Sequence, residues 1–208
     1  ILILGAGLLL LIFERNASMA DLTWPQRVLA SLFQAVAPRT AGFNTVDLSK
    51  LSNSSNLLTD VLMLIGGSPG STAGGFKTTT VAVLFLSALA SSKGRMRVNA
   101  FRYSVDRETL RQASSVVMIY LSLTFFSVLT LCAIEPFTLK EILFEVCSAV
   151  GTVGSTLGIT TKLSAVSRII IILLMYAGRL GGMSFVLLFT ERRSDPPLER
   201  PAGKILIG

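Results

Sequence analysis

The sequence predicts an all-α polytopic membrane protein, and its composition, its long apolar runs and its charge distribution carry that prediction. Hydrophobic residues make up 51% of the 208 residues and charged residues only 15%, which is too apolar for an ordinary soluble domain. Two apolar runs, 112–134 and 166–190, are each long enough to cross a bilayer, which takes about 20 residues. The net charge is nevertheless +7, so the charged residues must be concentrated outside these runs.

Basic residues are concentrated in the polar segments 92–111 and 192–208. The other two polar connections, 14–56 and 135–164, hold basic and acidic residues in near balance. Because positive charge is retained on the cytoplasmic side of a membrane, we expect 92–111 and 192–208 to be cytoplasmic. Basic residues beside aromatic ones are also typical of nucleic-acid or anionic-lipid binding, but membrane topology explains them here and no nucleic-acid partner is expected.

The first apolar run, 1–13, is shorter than the other two and opens without methionine. It lacks the basic flank and the cleavage site of a signal peptide. We therefore expect it to be the end of a membrane helix, in a chain that is a fragment of a longer protein.

Two shorter helices are predicted within the segments expected outside. Thr23 is a candidate N-cap followed by Pro25, and Thr138 with Glu141 has the spacing of a capping box. Either helix would have about 13 residues and a length of about 20 Å, which is too short to cross the membrane. Each is therefore expected to enter the membrane and turn back, which is tolerated only where protein buries the turn or water surrounds it.

An internal repeat links these two short helices. Sliding the chain by 112 residues aligns "RTAGFNTVDLSKLS" (39–52) with "GTVGSTLGITTKLS" (151–164), so that Thr40 meets Thr152 and Gly42 meets Gly154. The repeated unit is an outer helix, a pore helix with a glycine-containing turn, and an inner helix. The predicted boundaries are a first unit 1–91 (outer helix 1–13, pore helix and turn 24–45, broken inner helix 57–91), the cytoplasmic linker 92–111, a second unit 112–191 (112–134, 138–158, 166–190) and the cytoplasmic tail 192–208.

The repeated turn has a physical use in a membrane. A re-entrant helix directs its C-terminal end, about half a negative charge, toward the membrane interior. The turn after it can present backbone carbonyls that replace the hydration shell of a cation, and glycine permits the backbone angles this requires. The alternative is that both turns merely close helical hairpins, and the presence of two matching copies favours a cation filter.

The stretch "GGSPGSTAGGFKTTT" (66–80) interrupts the apolar segment 57–91. A phosphate-binding loop requires a lysine directly after its second glycine, but Phe76 separates Gly75 from Lys77. Glycine and proline instead break a helix at membrane depth, where irregular backbone must be buried in protein or line a water-filled cavity. A movable gate is favoured over a rigid kink, and Lys77 would place a positive charge near a cation path.

These three motifs together resemble the Ktr/Trk/HKT superfamily of potassium transporters, closest to the membrane subunit of bacterial Ktr systems. The resemblance covers essentially the whole chain and implies the third and fourth of four pore repeats. It implies potassium uptake across the bacterial cell membrane, with potassium as the transported ion. The residues it implies for the filter are Thr40, Ala41, Gly42, Phe43, Asn44, Thr152, Val153, Gly154, Ser155 and Thr156. The residues it implies for the gating loop are Gly66, Gly67, Ser68, Pro69, Gly70, Ser71, Thr72, Ala73, Gly74, Gly75 and Lys77.

The resemblance also implies partners and one further gating residue. It implies a homodimer of membrane subunits and a cytosolic nucleotide-binding regulatory ring, with no cofactor on this chain and dependence on sodium left open. Arg179 lies deep in the run 166–190, where a charge normally faces a polar interior or a partner; carbonyls of 66–75 are the expected partners.

Three further interpretations complete the prediction. Asp60 and Glu145 are isolated in largely apolar stretches and are interpreted as polar groups near the outer boundary. The chain has no histidine and no pair of carboxylates suited to catalysis, so no enzyme is predicted. The alternatives left open are a Trk-type or sodium-permeable relative and, in another class, a membrane NTPase that uses 66–80 to bind phosphate.

Overall fold

The computed structural model describes residues 2–15, 17–94, 99–100 and 103–180. The predicted all-α class is confirmed as a mostly helical fold, with one short antiparallel strand pair as the exception in the described part. The elements are, in order, α1 (Leu2–Phe13), α2 (Trp24–Val36), α3 (Asn53–Leu64), α4 (Thr78–Ser92), β1 (Asn99–Ala100), β2 (Tyr103–Ser104), α5 (Arg107–Ile134), α6 (Leu139–Val150) and α7 (Ala165–Leu180).

Helix α5 has 28 residues and is the one described helix both long and apolar enough to cross a membrane. It begins ahead of the predicted span 112–134 because the Asp106 side chain caps it, accepting a hydrogen bond of 2.8 Å from the backbone N–H of Arg107. The end of the predicted linker 92–111 is therefore helical. Large apolar side chains along α5, including Met118, Phe125 and Phe126, are exposed, as a lipid environment allows.

The two short helices begin where the sequence predicts. Thr138 and Glu141 form the predicted capping box at the start of α6, with a hydrogen bond of 3.0 Å from the Thr138 N–H to the Glu141 carboxylate. Helix α2 begins after Thr23, and Gln26 Oε1 accepts a hydrogen bond of 3.0 Å from the Thr23 N–H. This second box was missed in the sequence, where only the N-cap and the early proline were recognised.

Helix α6 lies at the centre of the described fold. It packs against α3, α5 and α7, and its residues from 144 to 150 are all buried. Ile142, Val146 and Val150 join Leu131 of α5 and Leu174 of α7 in the largest apolar cluster. A short helix of this kind cannot cross a membrane by itself, so its position depends on the longer helices around it.

Helices α1, α2 and α3 form a second, smaller packing unit. Helix α1 packs on α2 and α3, and Leu10, Ala35 and Leu62 meet in a buried apolar cluster. The chain then leaves α3 at Leu64 and becomes helical again at Thr78. The predicted end of the last inner helix beyond residue 180 and the tail 192–208 lie outside the described residues.

Candidate functional site

The first turn, residues 37–47, reverses the chain at the end of α2. The Ala37 carbonyl accepts hydrogen bonds from the N–H groups of Ala41 and Gly42, at 3.1 and 3.2 Å. Thr40 and Gly42 both have positive φ, 69° and 70°, a conformation that is uncommon for a non-glycine residue and costly for a β-branched one. The turn therefore holds its backbone in an unusual shape rather than in that of an ordinary helix end.

The second turn, residues 151–159, repeats that shape at the end of α6. Val153 N–H donates to the Ser148 carbonyl at 2.9 Å, and positive φ recurs at Thr152 (54°) and Gly154 (87°). Thr40 and Thr152 are the two non-glycine residues with positive φ in the described part of the chain. The sequence repeat is thus also a repeat of backbone conformation.

The two turns contact each other. A Cβ atom on Gly42 would meet the carbonyl oxygen of Val153 and would lie 3.5 Å from its carbonyl carbon. It would also lie 4.0 Å from the carbonyl carbon of Gly154. Residues that the sequence assigned to one site from two distant segments are therefore brought together, and Gly42 is needed because the backbones approach so closely.

The same repeat continues past both turns. A short 3-10 helix follows each one, Leu48–Lys50 in the first and Thr160–Lys162 in the second. Ser52 then caps α3 by accepting a hydrogen bond from the Ser55 N–H at 3.2 Å, and Ser164 accepts one from Ser167 N–H at 3.4 Å ahead of α7. Each turn is therefore followed by the same two features, a short 3-10 helix and a serine that caps the next helix.

A glutamate directly after α1 and another directly after α5 bind the starts of α3 and α7, respectively. Glu14, after α1, accepts a hydrogen bond of 2.9 Å from the backbone N–H of Ser52. Glu135, after α5, accepts one of 2.9 Å from the backbone N–H of Ser164. Sequence reasoning missed this pair, because a contact between segments 38 or 29 residues apart leaves no local pattern.

The Glu145 side chain is hydrogen-bonded to the second turn and to the 3-10 helix that follows it. Its carboxylate accepts hydrogen bonds from the hydroxyl of Thr156, at 2.7 Å, and from that of Thr160. It is 6% exposed and borders a cavity of about 140 Å³ that reaches Gly154 and Ser155. The sequence treated Glu145 as an isolated polar group, but the structure places it against a predicted filter residue.

Residues 65–77, named here the glycine loop, connect α3 to α4 without helical structure. Its two ends are joined, since Gly66 N–H donates to the Phe76 carbonyl at 2.9 Å and Phe76 N–H donates to the Leu64 carbonyl at 3.1 Å. Gly70 and Gly75 have positive φ, 83° and 67°. The glycine loop therefore begins and ends at the same place in the fold, where its two ends are hydrogen-bonded to each other.

Two cationic side chains hold the tip of the glycine loop. Lys77 Nζ donates to the carbonyls of Ser71 and Ala73, at 2.9 and 2.6 Å. Arg179 of α7 donates from Nη1 to the carbonyl of Thr72 at 2.7 Å. Three successive loop carbonyls are therefore occupied, and one of them is tied to the last described helix.

The glycine loop also reaches the second turn. The Gly74 N–H donates a hydrogen bond of 3.0 Å to Thr152 Oγ1. The described structure thus brings together three of the predicted groups: the second turn, the glycine loop and Arg179. The first turn touches this assembly through Gly42, while Phe43 is exposed over 72% of its surface.

Comparison with known proteins identifies the family of this chain. The family described as cation transport protein, TrkH, matches residues 3–196. The chain is 38% identical, over its whole length, to the potassium/sodium uptake protein NtpJ of Enterococcus hirae. It is 35% identical, again over its whole length, to the Ktr system potassium uptake protein D of Bacillus subtilis. It covers 48% and 46% of these two proteins, and so spans about half the length of the curated relatives it matches.

A solved structure shows the same fold. The crystal structure of the potassium transporter TrkH from Vibrio parahaemolyticus matches with a TM-score of 0.69 and 18% identity, covering 91% of this chain and 42% of that one. The family is one of transporters, and the resemblance that the sequence motifs predicted is confirmed. The chain therefore belongs to the TrkH family of cation transport proteins and is a membrane protein.

Proposed function

We propose that the protein takes up potassium across the bacterial cell membrane through a filter of backbone carbonyls that the glycine loop gates. The observation that carries this proposal is the contact between the two positive-φ turns, in which Gly42 lies against the carbonyl of Val153. Two turns of the same unusual shape, from segments 112 residues apart in the sequence, meet at one point. Ordinary hairpin closures have no reason to converge in this way.

The filter would use the residues predicted from the sequence, 40–44 in the first turn and 152–156 in the second. Both turns follow the C-terminal ends of short helices, α2 and α6, whose dipoles favour a cation beyond them. Carbonyl oxygens can then replace the water around a potassium ion. The names of the relatives, which include potassium uptake proteins, support potassium as the substrate.

The glycine loop would close the path beneath the second turn. Its tip is held by two hydrogen bonds from the Lys77 ammonium and one from the Arg179 guanidinium, and hydrogen bonds to carbonyls can be broken and remade. Glycines at positive φ allow the backbone to change shape without steric cost. Displacement of the loop would then open a path from the filter to the cytoplasm.

The organisation around the pore follows from the same family relationship. We propose that 1–91 and 112–191 are two pore repeats, the latter pair of four, that 57–91 forms a broken inner helix, and that 92–111 and 192–208 face the cytoplasm. The protein would form a homodimer controlled by a cytosolic ring that binds nucleotide, while this chain binds no cofactor. Whether sodium is needed for transport is a separate property of the complete protein.

One alternative is favoured by a specific observation. The relative that is 38% identical carries the name potassium/sodium uptake protein, which supports a sodium-permeable transporter of the same superfamily. A phosphate-binding enzyme is not supported, because Lys77 donates to carbonyls of its own loop and does not extend toward a phosphate site.

The proposal is tested by measuring potassium uptake with and without the loop. Deleting residues 70–75 removes the carbonyls that Lys77 and Arg179 hold, but leaves both turns intact. We expect the full-length variant to raise the maximal rate of potassium uptake several-fold, with a smaller change in the concentration that gives half-maximal uptake. Isotope uptake over a series of potassium concentrations measures both quantities.

The control for this experiment is the amount of protein in the membrane. A lower maximal rate at normal protein levels would show that the loop supports the path rather than closes it. Equal uptake of sodium and potassium by the unaltered protein would replace the potassium proposal with the sodium-permeable alternative.

A further inference from the structure

Thr152 lies where three segments of the protein meet. The glycine loop reaches it through the hydrogen bond of 3.0 Å from Gly74 N–H to Oγ1. Helix α7 reaches it through Gly178, where a Cβ atom would lie 3.2 Å from Thr152 Cγ2 and would meet the carbonyl oxygen of Val150. The side chain of one residue in the second turn therefore contacts both the loop and the last described helix.

The backbone of the glycine loop at Gly74 lies too close to Thr152 to accommodate a side chain. A Cβ atom on Gly74 would lie 2.7 Å from Thr152 Oγ1, 2.8 Å from its Cγ2 and 2.9 Å from the carbonyl oxygen of Gly151. Real Cβ atoms are not found at such distances, so only glycine can bring the loop backbone this close. The position of the loop and the conformation of the turn are consequently linked.

The hydroxyl oxygen of Thr152 is of a kind that can also coordinate a cation, and the docked glycine loop would oppose this. A hydroxyl oxygen has two lone pairs, which can accept hydrogen bonds or coordinate a cation. While Gly74 N–H points at this oxygen, the positive end of the N–H dipole opposes a cation approaching the same atom. Withdrawal of the loop removes that opposition and frees the oxygen.

Thr40 occupies the same position in the first turn but lacks the contact. It has the same unusual backbone conformation, with φ of 69° against 54° for Thr152. Within the ranges that the structure describes, its hydroxyl makes no hydrogen bond with the glycine loop. A comparison of Thr40 with Thr152 therefore distinguishes the effect of a threonine in this backbone conformation from the effect of the contact with the glycine loop.

We propose that Thr152 couples the gate to the filter, with the Gly74 N–H and a potassium ion competing for its hydroxyl oxygen. When the loop is docked, the oxygen accepts the N–H and one ligand of the ion path is lost. When the loop withdraws, the oxygen faces the path and binds the ion. This inference rests on the proposed function, since it assigns a coupling role within the same site.

The competition between the Gly74 N–H and potassium can be tested on the unaltered protein. Because the N–H dipole and the cation oppose each other at one oxygen atom, each weakens the binding of the other reciprocally. In the full-length protein in lipid nanodiscs, hydrogen–deuterium exchange of the peptide containing Gly74 should therefore be faster in potassium chloride than in choline chloride of equal concentration. Exchange that is unchanged or slower in potassium would overturn the proposal.

Three variants then locate the effect at the hydroxyl. Thr152→Val keeps the shape of the side chain but removes the acceptor, and should raise exchange of the Gly74 peptide in choline by roughly fivefold, the change that one neutral hydrogen bond makes. Thr152→Ser keeps the hydroxyl and should restore slow exchange. Thr40→Val removes the equivalent hydroxyl from the first turn and should leave the Gly74 peptide unchanged; equal effects of the two valine variants would contradict the coupling.

Measurements of potassium flux distinguish a failure of this inference from a failure of the proposed function. In proteoliposomes at saturating potassium, without any regulatory partner, Thr152→Val should raise the resting flux by roughly fivefold, because the loop is released while the loss of an ion ligand acts mainly on the potassium concentration needed. Thr152→Ser, which keeps the hydroxyl, should restore the low resting flux, and Thr40→Val should not raise it. If the exchange results hold but the unaltered protein conducts no potassium, the proposed function fails and the loop contact stands. If the protein conducts potassium but Thr152→Val changes neither exchange nor resting flux, the coupling fails and the proposed function stands.

Discussion

The first and second turns share a backbone conformation but differ in what holds it. The second turn has Glu145 bound to two threonine hydroxyls behind it, the glycine loop against Thr152 and α7 against Val150. The first turn has none of these supports among the described residues, and the position that corresponds to Glu145 in the repeat is the exposed Phe33. The same backbone shape is therefore held by more side-chain contacts in the second turn than in the first.

Buried polar groups that lack hydrogen-bond partners also distinguish the first part of the chain from the second. In the described part of the chain, the buried side-chain atoms without a hydrogen-bond partner are all in the first unit: Gln34 Oε1, Arg39 Nε and Nη2, Asn56 Oδ1 and Asp60 Oδ1. Burying such groups without partners is costly. The comparison teaches that the second turn is held by side chains of the described fold, whereas Gln34 and Arg39, which lie close to the first turn in sequence, leave buried polar atoms without partners.

The largest effect is expected from serine at the glycine of either turn. In Gly42→Ser the new Cβ would collide with the Val153 carbonyl and the residue would also keep φ of 70°. In Gly154→Ser nothing lies within 4 Å of the new atom and only φ of 87° is unfavourable. We expect both to weaken potassium uptake and its discrimination against sodium, with Gly42→Ser reducing uptake tenfold or more, on the order of the cost of one such clash and strained residue.

Isotope uptake of potassium with sodium as competitor measures both effects in the full-length protein. Similar losses in the two variants would show that backbone strain, not the contact between turns, dominates. Unchanged selectivity in both would remove the filter assignment altogether.

A smaller effect is expected from the arginine that ties the glycine loop to the second unit. Arg179→Ala removes the hydrogen bond to the Thr72 carbonyl and should raise the resting potassium flux by roughly threefold to tenfold, because this solvent-exposed hydrogen bond contributes about as much as an ordinary one, on the order of 1 kcal/mol. Discrimination against sodium should be retained, since neither turn is altered.

Arg168→Ala is the matched control for this variant. Arg168 lies on the same helix and also donates to a backbone carbonyl, that of Thr161, at 2.7 Å, but it does not touch the loop. Proteoliposome flux at equal protein levels compares the two variants. If both raise the resting flux equally, the effect comes from α7 and not from the loop contact.

Sequence reasoning predicted the parts of this arrangement that have local signals. The α5 span, the capping box of Thr138 and Glu141, and the matching turns at Thr40 and Thr152 all depend on residues close in sequence or on the repeat itself. The family resemblance followed from the two turn motifs and the glycine-rich stretch 66–80. What the sequence could not show is which groups meet: Glu145 with Thr156, and Gly74 with Thr152. Those contacts depend on how helices pack, which residue type alone does not specify. The contact of Arg179 with a carbonyl of 66–75 was expected because of the family resemblance and because a charge deep in an apolar run needs a partner.

The smallest effect is expected from Glu14 and Glu135, which join α1 to α3 and α5 to α7. Burial raises the pKa of Glu14, but hydrogen bonds from Ser55, Ser18 and Ser52 outweigh it and leave the pKa below its ordinary value of 4.5. Hydrogen bonds from Ser167 and Ser164 lower the pKa of Glu135. A carboxylate with a lowered pKa stabilises the fold above its ordinary pKa, and that contribution is lost as the pH falls through the lowered value.

Glu14→Gln should therefore lower the unfolding temperature at pH 7 by about 3 °C, typical of the loss of roughly 1 kcal/mol in a protein of this size. Glu135→Gln should lower it less, because Glu14 is fully buried and also binds Ser18 at 2.7 Å. Glu141→Gln is the control, since glutamine preserves a capping box. Scanning fluorimetry of the purified protein should show the Glu14→Gln difference above pH 4.5 and its disappearance in stronger acid, because protonation then removes the same charge from the unaltered protein. A loss of equal size at both pH values would mean that Glu14 contributes by packing and not by its charge.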